Sequence, residues 1–145
     1  MNTDALSLSR FIEAQEASYA TALAELRAGR KQTHWIWFVF PQLKGLGSSA
    51  NADYYGLSGL AEARAYLAHP LLGQRLHEAT AVMLAHQAAG AASVLGELDA
   101  MKFRSCMTLF ARADLAGPVF GAALKRFFAG QPDARTLRLL GEAEE

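Results

Sequence analysis

Apolar residues recur at steps of three and four along most of the chain, which is the spacing of an amphipathic helix. The first such segment places Phe11, Tyr19 and Leu26 on one face. Gly29 follows and can supply the left-handed residue that commonly ends a helix. The pattern therefore predicts a helix over the first part of the chain.

The hexamer Trp35–Phe40 departs from this pattern because every residue in it is apolar. Its length and aromatic content are typical of a buried strand, but periodicity cannot separate that from a short buried helix. Pro41 disfavours helix at Phe40. The rest of the chain has no convincing strand pattern with which a strand here could pair. We therefore predict one or two helical turns.

Helical periodicity and capping residues predict five more helices downstream. They cover Leu60–Leu67, a segment that starts at Pro70, a segment capped by Asp99, a segment that starts at Gly117-Pro118, and a last one from Asp133 to Leu140. The predicted fold class is all-α. We expect one compact domain over 1–145, with about six or seven helices around one core and without the order of a regular bundle.

Composition limits the classes of protein and partner. The 145 residues are 52% hydrophobic and 19% charged, which excludes intrinsic disorder. Fourteen basic and fourteen acidic residues cancel, so the chain has no basic field for nucleic acid or an anionic membrane. We expect neither as a partner.

The compartment is predicted from three further features. The N-terminus has no basic flank followed by an apolar run, so it does not resemble a signal peptide. The chain has no stretch of about 18 apolar residues, which a membrane helix requires. A lone cysteine, Cys106, cannot form an internal disulfide and fits a reducing environment. We expect a soluble cytoplasmic protein.

A glycine-serine segment after the apolar hexamer matches the pattern G-x-G-x-x-A, from Gly45 and Gly47 to Ala50. In a dinucleotide-binding unit such glycines let the backbone approach a pyrophosphate. No second strand follows, so the context argues against that unit. The N–H groups from Gly45 to Ser49 can still form an anion-binding nest, and the alternative is a plain surface loop.

Aromatic and polar residues around the hexamer are candidates for a pocket. Trp35, Trp37 and Tyr55 can stack on a ring, and His34 and Gln42 can bind its edges. The alternative is that both indoles belong to the core and that His34 is a surface or capping residue.

The predicted Asp99 helix carries a second candidate set. Lys102 and Ser105 are three residues apart and can point at one ligand, although an exposed lysine is usually only solvated. Cys106 falls on the apolar face, where a thiol is inert packing.

Metal and acid–base sites are not indicated. The histidines His34, His69, His77 and His86 have no metal-ligand spacing. The carboxylates are too scattered along the chain to identify an acid–base pair. We predict no metal and no cofactor, and the sequence does not decide whether the protein is an enzyme.

Three strings of residues carry a resemblance to a known family. They are Gly29-x-Lys31-x-x-His34-Trp35-x-Trp37-Phe38-x-Phe40-Pro41-Gln42, then Tyr66-x-x-His69-Pro70-x-x-Gly73, then Asp99-x-x-Lys102-Phe103-x-Ser105-x-Met107-Thr108-x-Phe110. With the glycine-serine segment and Gly130-x-x-Asp133 they resemble a small bacterial family of unknown function, which implies a mainly helical single-domain fold. Cys106 departs from that family, which more often has a serine there.

The resembling family is often labelled calpastatin in genomes. The inhibitory segments of calpastatin are disordered, whereas this chain can bury a core, so we interpret the label as a misannotation. The order of aromatic, Pro-x-x-Gly and Lys-Phe elements is also distantly similar to small helical proteins linked to NAD and ADP-ribose chemistry, whose better-known members cleave N-glycosidic bonds.

The leading hypothesis from the sequence is a site for a small nucleotide- or ADP-ribose-like ligand. It would form where the segment from His34 to Ser49 meets the Asp99 helix. The resemblance implies hydrolysis at a glycosidic carbon, with Asp99 or His34 assisting, if the protein is an enzyme. The alternative is a protein-interaction module or a homodimerising domain without catalytic activity.

Overall fold

The computed structural model describes residues 3–86, 88–114 and 117–141. Within those ranges the chain is mostly helical, and an isolated parallel β-bridge joins Leu43 to Leu57. The expected all-α class is confirmed. The helices are α1 Thr3–Ala28, α2 Ile36–Val39, α3 Ala50–Tyr55, α4 Leu60–Ala68, α5 Pro70–Ala85, α6 Ala91–Leu95, α7 Glu97–Ala113, α8 Val119–Phe128 and α9 Ala134–Leu139.

The predicted number of six or seven helices is wrong, because the described ranges contain nine. The two that sequence reasoning missed are α3 and α6, with six and five residues. Neither is long enough to show a helical repeat of apolar positions. Helix α3 also has no buried residue, so it carries no apolar stripe to detect.

Several predicted helix ends are confirmed, and the predicted start of α7 is wrong. Gly29 has a φ of +80° after α1, and Pro70 is the first residue of α5. The Asp133 carboxylate accepts the Thr136 N–H and caps α9. Asp99, however, does not cap α7. That helix begins two residues earlier, after Gly96 with a φ of +88°, so Asp99 lies in its first turn.

The apolar hexamer forms one helical turn, as predicted. Ile36 and Val39 point into the core. Gln15, only 1% exposed on α1, donates from its side-chain amide to the Phe38 carbonyl oxygen over 2.6 Å. The amide also donates to the Tyr66 hydroxyl over 3.1 Å. A buried amide thus fixes the turn against α1 and α4.

Helix α7 lies at the centre of the core and packs against α4, α6, α8 and α9. A file of aromatic rings crosses the core from α1 to α8. Phe11 packs edge-on against Tyr66, Tyr66 contacts Phe110, and Phe110 contacts Phe120, with centroid separations of 5.1, 5.5 and 5.7 Å. The helices therefore share one hydrophobic core and form a compact single domain.

Among the residues that the structure describes, no helix combines the length and apolar character needed to cross a membrane.

Candidate functional site

The two indoles of the hexamer have different surroundings. Trp35 is 1% exposed, and its indole N–H donates to Glu25 Oε1 over 2.8 Å. Trp37 is only partly buried and lies against the core from outside. The single turn of α2 therefore places one indole inside the protein and the other at its surface.

Trp37 lines a cavity of about 400 Å³ that is open to solvent. Four segments form its walls: the end of α2 with the residues that follow, the loop into α3, one face of α7, and the start of α9. We call it the Trp37 cavity. Its lining residues are Trp37, Gln42, Leu43, Leu46, Gly47, Ser48, Ser49, Asn51, Ala52, Tyr55, Gly56, Leu98, Met101, Lys102, Ser105, Asp133 and Arg135.

The wall made by the loop and α3 is closed at its base by the bridge between Leu43 and Leu57. The Lys44 N–H donates to the Leu57 carbonyl over 2.8 Å. Gly56 permits this approach, because a Cβ atom there would lie 2.7 Å from Lys44 Cα. The loop between the two bridge residues therefore leaves the core and returns to it at one point.

Ser49 starts α3 by accepting the Ala52 N–H with its hydroxyl oxygen over 3.1 Å. A hydroxyl that accepts one bond still has its own hydrogen to donate. Ser49 lines the cavity together with Gly47 and Ser48, so the glycine-serine segment forms part of its wall.

Arg10 of α1 holds the far end of α3. Its Nε donates to the Tyr54 carbonyl over 2.7 Å, and its Nη2 donates to the Gly56 carbonyl over 2.9 Å. The same guanidinium pairs with Glu62 at 3.3 Å. These bonds place the Tyr55 ring in the cavity wall, where it also contacts Phe38 at a centroid separation of 5.3 Å.

Partial burial raises the pKa of the Tyr55 hydroxyl, and the neighbouring Tyr54 adds to the shift. The phenol is therefore protonated at neutral pH and can donate a hydrogen bond.

Helix α7 contributes Leu98, Met101, Lys102 and Ser105, which share a face because they are spaced at three, four and seven residues from Leu98. Leu98 is 74% exposed and Met101 is 64% exposed, so the rim of the cavity is apolar. Ser105 is buried, and its hydroxyl donates to the Met101 carbonyl over 3.1 Å. Its oxygen can therefore accept a hydrogen bond from a ligand, while its hydrogen is already used.

Lys102 is the cation of this wall. Its Nζ lies 4.5 Å from the centre of the Trp37 ring system, which is within range of a cation–π contact. It also donates to Asp99 Oδ1 over 3.1 Å. Asp99 in turn binds Lys31 Nζ at 2.8 Å through its other oxygen. Burial opposes ionisation of Asp99, but the two ammonium groups outweigh it, and the pKa of this carboxyl lies below its ordinary value.

The fourth wall comes from the start of α9. The Asp133 N–H donates to Thr108 Oγ1 of α7 over 2.8 Å, which docks α9 beside the cavity. Asp133 Oδ2 accepts both polar hydrogens of Thr136. Arg135 reaches from α9 to the opposite loop and donates to the Leu46 carbonyl over 2.6 Å. One carboxylate and one guanidinium therefore line this wall.

The structure brings seven of the ten sequence-predicted site residues to the Trp37 cavity and leaves three outside it. Trp35 is sealed in the core, so its indole cannot stack on a ligand here. His34 is exposed and Gly45 lies beside Leu139, and neither residue lines the cavity. The seven that line it are Trp37, Gln42, Gly47, Ser49, Tyr55, Lys102 and Ser105.

Sequence reasoning missed the contribution of α9. Asp133 was predicted only as a cap, and Arg135 was not singled out, although both line the cavity. Their place depends on a bond to Thr108, which lies 25 residues before Asp133. No local pattern carries that signal. Leu98 and Met101 could have been noticed as apolar residues on the polar side of α7.

Among the described residues, no three histidine, cysteine, aspartate or glutamate side chains are grouped so as to hold a metal ion. Cys106 is buried in the core, and burial raises its thiol pKa well above the ordinary value. The cavity thus offers an aromatic face, two cations, one carboxylate and several hydroxyl and amide groups. That set can bind a polar ligand with an aromatic part.

The described residues thus form a small, single-domain helical fold with an open pocket beside the central helix. A family model described as "Protein of unknown function (DUF1810)" matches residues 5–140. The chain belongs to this family. The expected resemblance to a family of unknown function is therefore confirmed.

A solved structure has the same fold. It is the crystal structure of the conserved hypothetical protein Rv1873 from Mycobacterium tuberculosis, which is 50% identical in sequence and matches with a TM-score of 0.91. The match covers 94% of this chain and 97% of that one. A search of functionally curated proteins gave no match.

Proposed function

We propose that this protein binds a small anionic molecule that carries a flat ring, of the nucleotide or ADP-ribose class, in the Trp37 cavity. The observation that carries the proposal is the pairing of Lys102 with the face of Trp37 at the cavity wall. An aromatic face and an ammonium group are the two contacts that a ring with an attached phosphate needs.

The size of the cavity supports a ligand of this class. Its volume of about 400 Å³ lies within the range typical of small-molecule pockets, about 300–1,000 Å³. Its outer rim is apolar through Leu98 and Met101, while Ser49, Ser105 and Asp133 are polar. Such a mixture favours a ligand with one flat apolar part and several hydroxyl or phosphate groups over a purely hydrocarbon one.

The second cation supports phosphate as the anionic group. Arg135 lines the cavity and donates one of its N–H groups to the Leu46 carbonyl. A guanidinium has five N–H groups in a planar fork that matches phosphate oxygens. Lys102 and Arg135 come from different helices, and both line the cavity, so its lining carries two cationic side chains.

Thermal unfolding in the presence of ADP-ribose, with AMP and adenosine for comparison, tests the proposal. A ligand at about a hundred times its Kd stabilises a protein by about 2.7 kcal/mol, so ADP-ribose should raise Tm by several degrees. Trp37→Ala and Lys102→Met should each abolish most of the rise.

Lys125→Met is the matched control, because Lys125 is an exposed lysine of α8 that does not line the cavity. That variant should keep the full rise in Tm. If ADP-ribose and AMP leave the wild-type Tm unchanged up to millimolar concentration, this class of ligand is wrong.

Hydrolysis of an N-glycosidic bond is the catalytic extension of the proposal, and it needs an acid or base that faces the ligand. The two groups expected from the sequence are badly placed for this role. Asp99 is held by Lys31 and Lys102 and does not line the cavity, and neither does His34. Asp133 is the carboxylate that does, so Asp133→Asn should remove any release of ADP-ribose from NAD, measured by chromatography.

A protein-interaction module is the second candidate function, and the exposed side chains favour it at one place. Leu98 and Met101 lie beside each other at the rim with most of their surface in solvent. Exposed apolar patches of this kind often mark docking surfaces. This reading expects a sedimentation coefficient that rises with protein concentration, and the loss of that rise in Leu98→Ser.

A further inference from the structure

Lys31 lies outside the Trp37 cavity, yet it is joined to Lys102 through a shared carboxylate. Asp99 binds Lys31 at 2.8 Å through Oδ2 and Lys102 at 3.1 Å through Oδ1. The Lys31 side chain is 8% exposed, whereas that of Lys102 is 25% exposed. The carboxylate thus bridges an inner lysine and an outer one, and only the outer one lines the cavity.

The charges of these three residues determine what a ligand would meet at the α7 wall of the cavity, whereas Asp133 and Arg135 add one charge of each sign at the α9 wall. Asp99 and Lys102 alone would form a neutral pair, in which the carboxylate cancels the ammonium group facing the cavity. Lys31 adds a second ammonium group to this pair. Two positive charges and one negative charge leave the cluster with one net positive charge. Lys102 is the more exposed of the two lysines, so that net charge is presented at the cavity.

The surroundings of Lys31 hold its ammonium group beside Asp99. Its backbone N–H donates to the Val94 carbonyl over 2.7 Å, and its Nζ lies 5.2 Å from the centre of the Trp35 ring system. A nearly buried ammonium group is stable only with a charged partner or a polarisable face nearby. Lys31 has both, so it is held on the inner oxygen of Asp99.

We infer that Lys31 is a specificity-determining residue that makes the Trp37 cavity selective for anions by neutralising Asp99, without touching the ligand. The inference rests on the proposed function for the identity of the ligand, but the charge that it assigns to the cavity can be measured without one. Removal of Lys31 should therefore act on charged probes and leave neutral probes unaffected.

Quenching of Trp37 fluorescence measures this charge directly. Iodide is an anionic quencher and acrylamide a neutral one, so the ratio of their quenching constants reports the local potential. Trp35 is sealed in the core and adds a nearly unquenched background. Lys31→Met should lower the iodide-to-acrylamide ratio by roughly two- to fivefold at low salt, and Asp99→Asn should raise it.

The double variant Lys31→Met/Asp99→Asn is the decisive sample. It removes one positive and one negative charge, so it restores the net charge of the wild type and should restore the ratio. Lys31→Arg should also keep the wild-type ratio, and Lys125→Met is the matched control for loss of a distant lysine. A purely structural role for Lys31 predicts no rescue by Asp99→Asn.

Binding of ADP-ribose and adenosine by the same variants separates the two proposals. Lys31→Met should weaken ADP-ribose binding about fivefold and leave adenosine binding unchanged, with recovery in the double variant. If no nucleotide binds the wild type, the proposed function fails, and the iodide ratios still decide the role of Lys31.

The inference is overturned if Lys31→Met leaves the iodide ratio unchanged or if the double variant stays as low as Lys31→Met. Should Lys31→Met fail to fold, an unchanged iodide ratio in Asp99→Asn would overturn it as well.

Discussion

Trp35 and Trp37 lie two residues apart, and the structure gives each indole a lysine and a nearby carboxylate. Lys31 lies over Trp35 and Lys102 over Trp37, at 5.2 and 4.5 Å. The carboxylates differ in what they bind. Glu25 accepts the Trp35 indole N–H, the backbone N–H groups of Gln32 and Thr33, and the Thr33 hydroxyl. Asp99 binds only the two lysines among the contacts that the structure describes.

This difference separates a structural site from a candidate binding site. Around Trp35 the polar hydrogens of the loop and of the indole are bound by Glu25 of α1, and the indole is sealed. Around Trp37 the ammonium group, the ring face and the hydroxyls border a cavity. The same residue types therefore stabilise the fold in one place and leave binding capacity in the other. The variants below test that contrast, from the largest expected effect to the smallest.

Replacement of each tryptophan by alanine should separate the two regions most strongly. Trp35→Ala should lower the free energy of unfolding by about 3–5 kcal/mol, because a large buried ring leaves a cavity. Trp37→Ala should lower it by only about 1 kcal/mol, because the ring is already partly solvated. Urea denaturation followed by circular dichroism measures both. Equal losses for the two variants would contradict the contrast.

Gly56 tests the wall of the Trp37 cavity. A Cβ atom there would lie 2.7 Å from Lys44 Cα and 2.8 Å from the Ala52 carbonyl oxygen. Gly56→Ala should therefore lower the free energy of unfolding by about 1–3 kcal/mol through overpacking. Gly121→Ala in α8 is the opposite case, because beyond its chain neighbours and the backbone of its own helix turn no atom lies within 4 Å of the added methyl group. It should stabilise the protein by about 0.5–1 kcal/mol in the same denaturation experiment.

Glu25→Gln should cost about 1–2 kcal/mol, because it turns hydrogen bonds to a charged acceptor into neutral ones in a partly solvated site. The amide is nearly isosteric, so the change leaves packing intact. Denaturation at pH 7 measures the loss. A cost below about 0.3 kcal/mol would show that the carboxylate charge does not stabilise the loop.

The pH dependence of the free energy of unfolding should also reveal the contribution of the Glu25 carboxylate. Burial opposes ionisation of Glu25, but the N–H groups of Gln32 and Thr33 and the Trp35 indole outweigh it and lower the pKa to about 2 from an ordinary value of 4.5. A depressed folded-state pKa means that the carboxylate stabilises the fold above pH 4.5, and that this contribution falls as the pH is lowered towards about 2. The slope in that window should be shallower in Glu25→Gln, measured as Cm in urea against pH.

Much of the fold was predictable from local patterns. The three- and four-residue spacing predicted six of the helices, and the single turn of α2 followed from Pro41 and from the lack of a strand partner. The short helices α3 and α6 were not predicted, because each has fewer than two full turns of sequence in which to show a repeat. The start of α7 was misplaced because a positive-φ glycine, Gly96, begins it instead of an acidic cap.

The candidate site was predictable only in part, and the reason is the range of the interactions. Lys102, Ser105 and the glycine-serine segment could be singled out because residue type and spacing are local properties. Arg135 could not, because a bond between Asp133 and Thr108 brings α9 to the cavity. The exclusion of His34 likewise depends on how the loop before α2 is tied to Glu25.

The sequence by itself determined the helical class, most helix ends and the residue types available at the aromatic segment, because these follow from periodicity, backbone preference and composition. Only the tertiary structure decided which indole is core and which borders a cavity. That choice depends on Gln15, which binds Phe38 from another helix, and on Lys102, which arrives from α7. Contacts between distant parts of the chain leave no period in the sequence, so the folded arrangement alone specifies them.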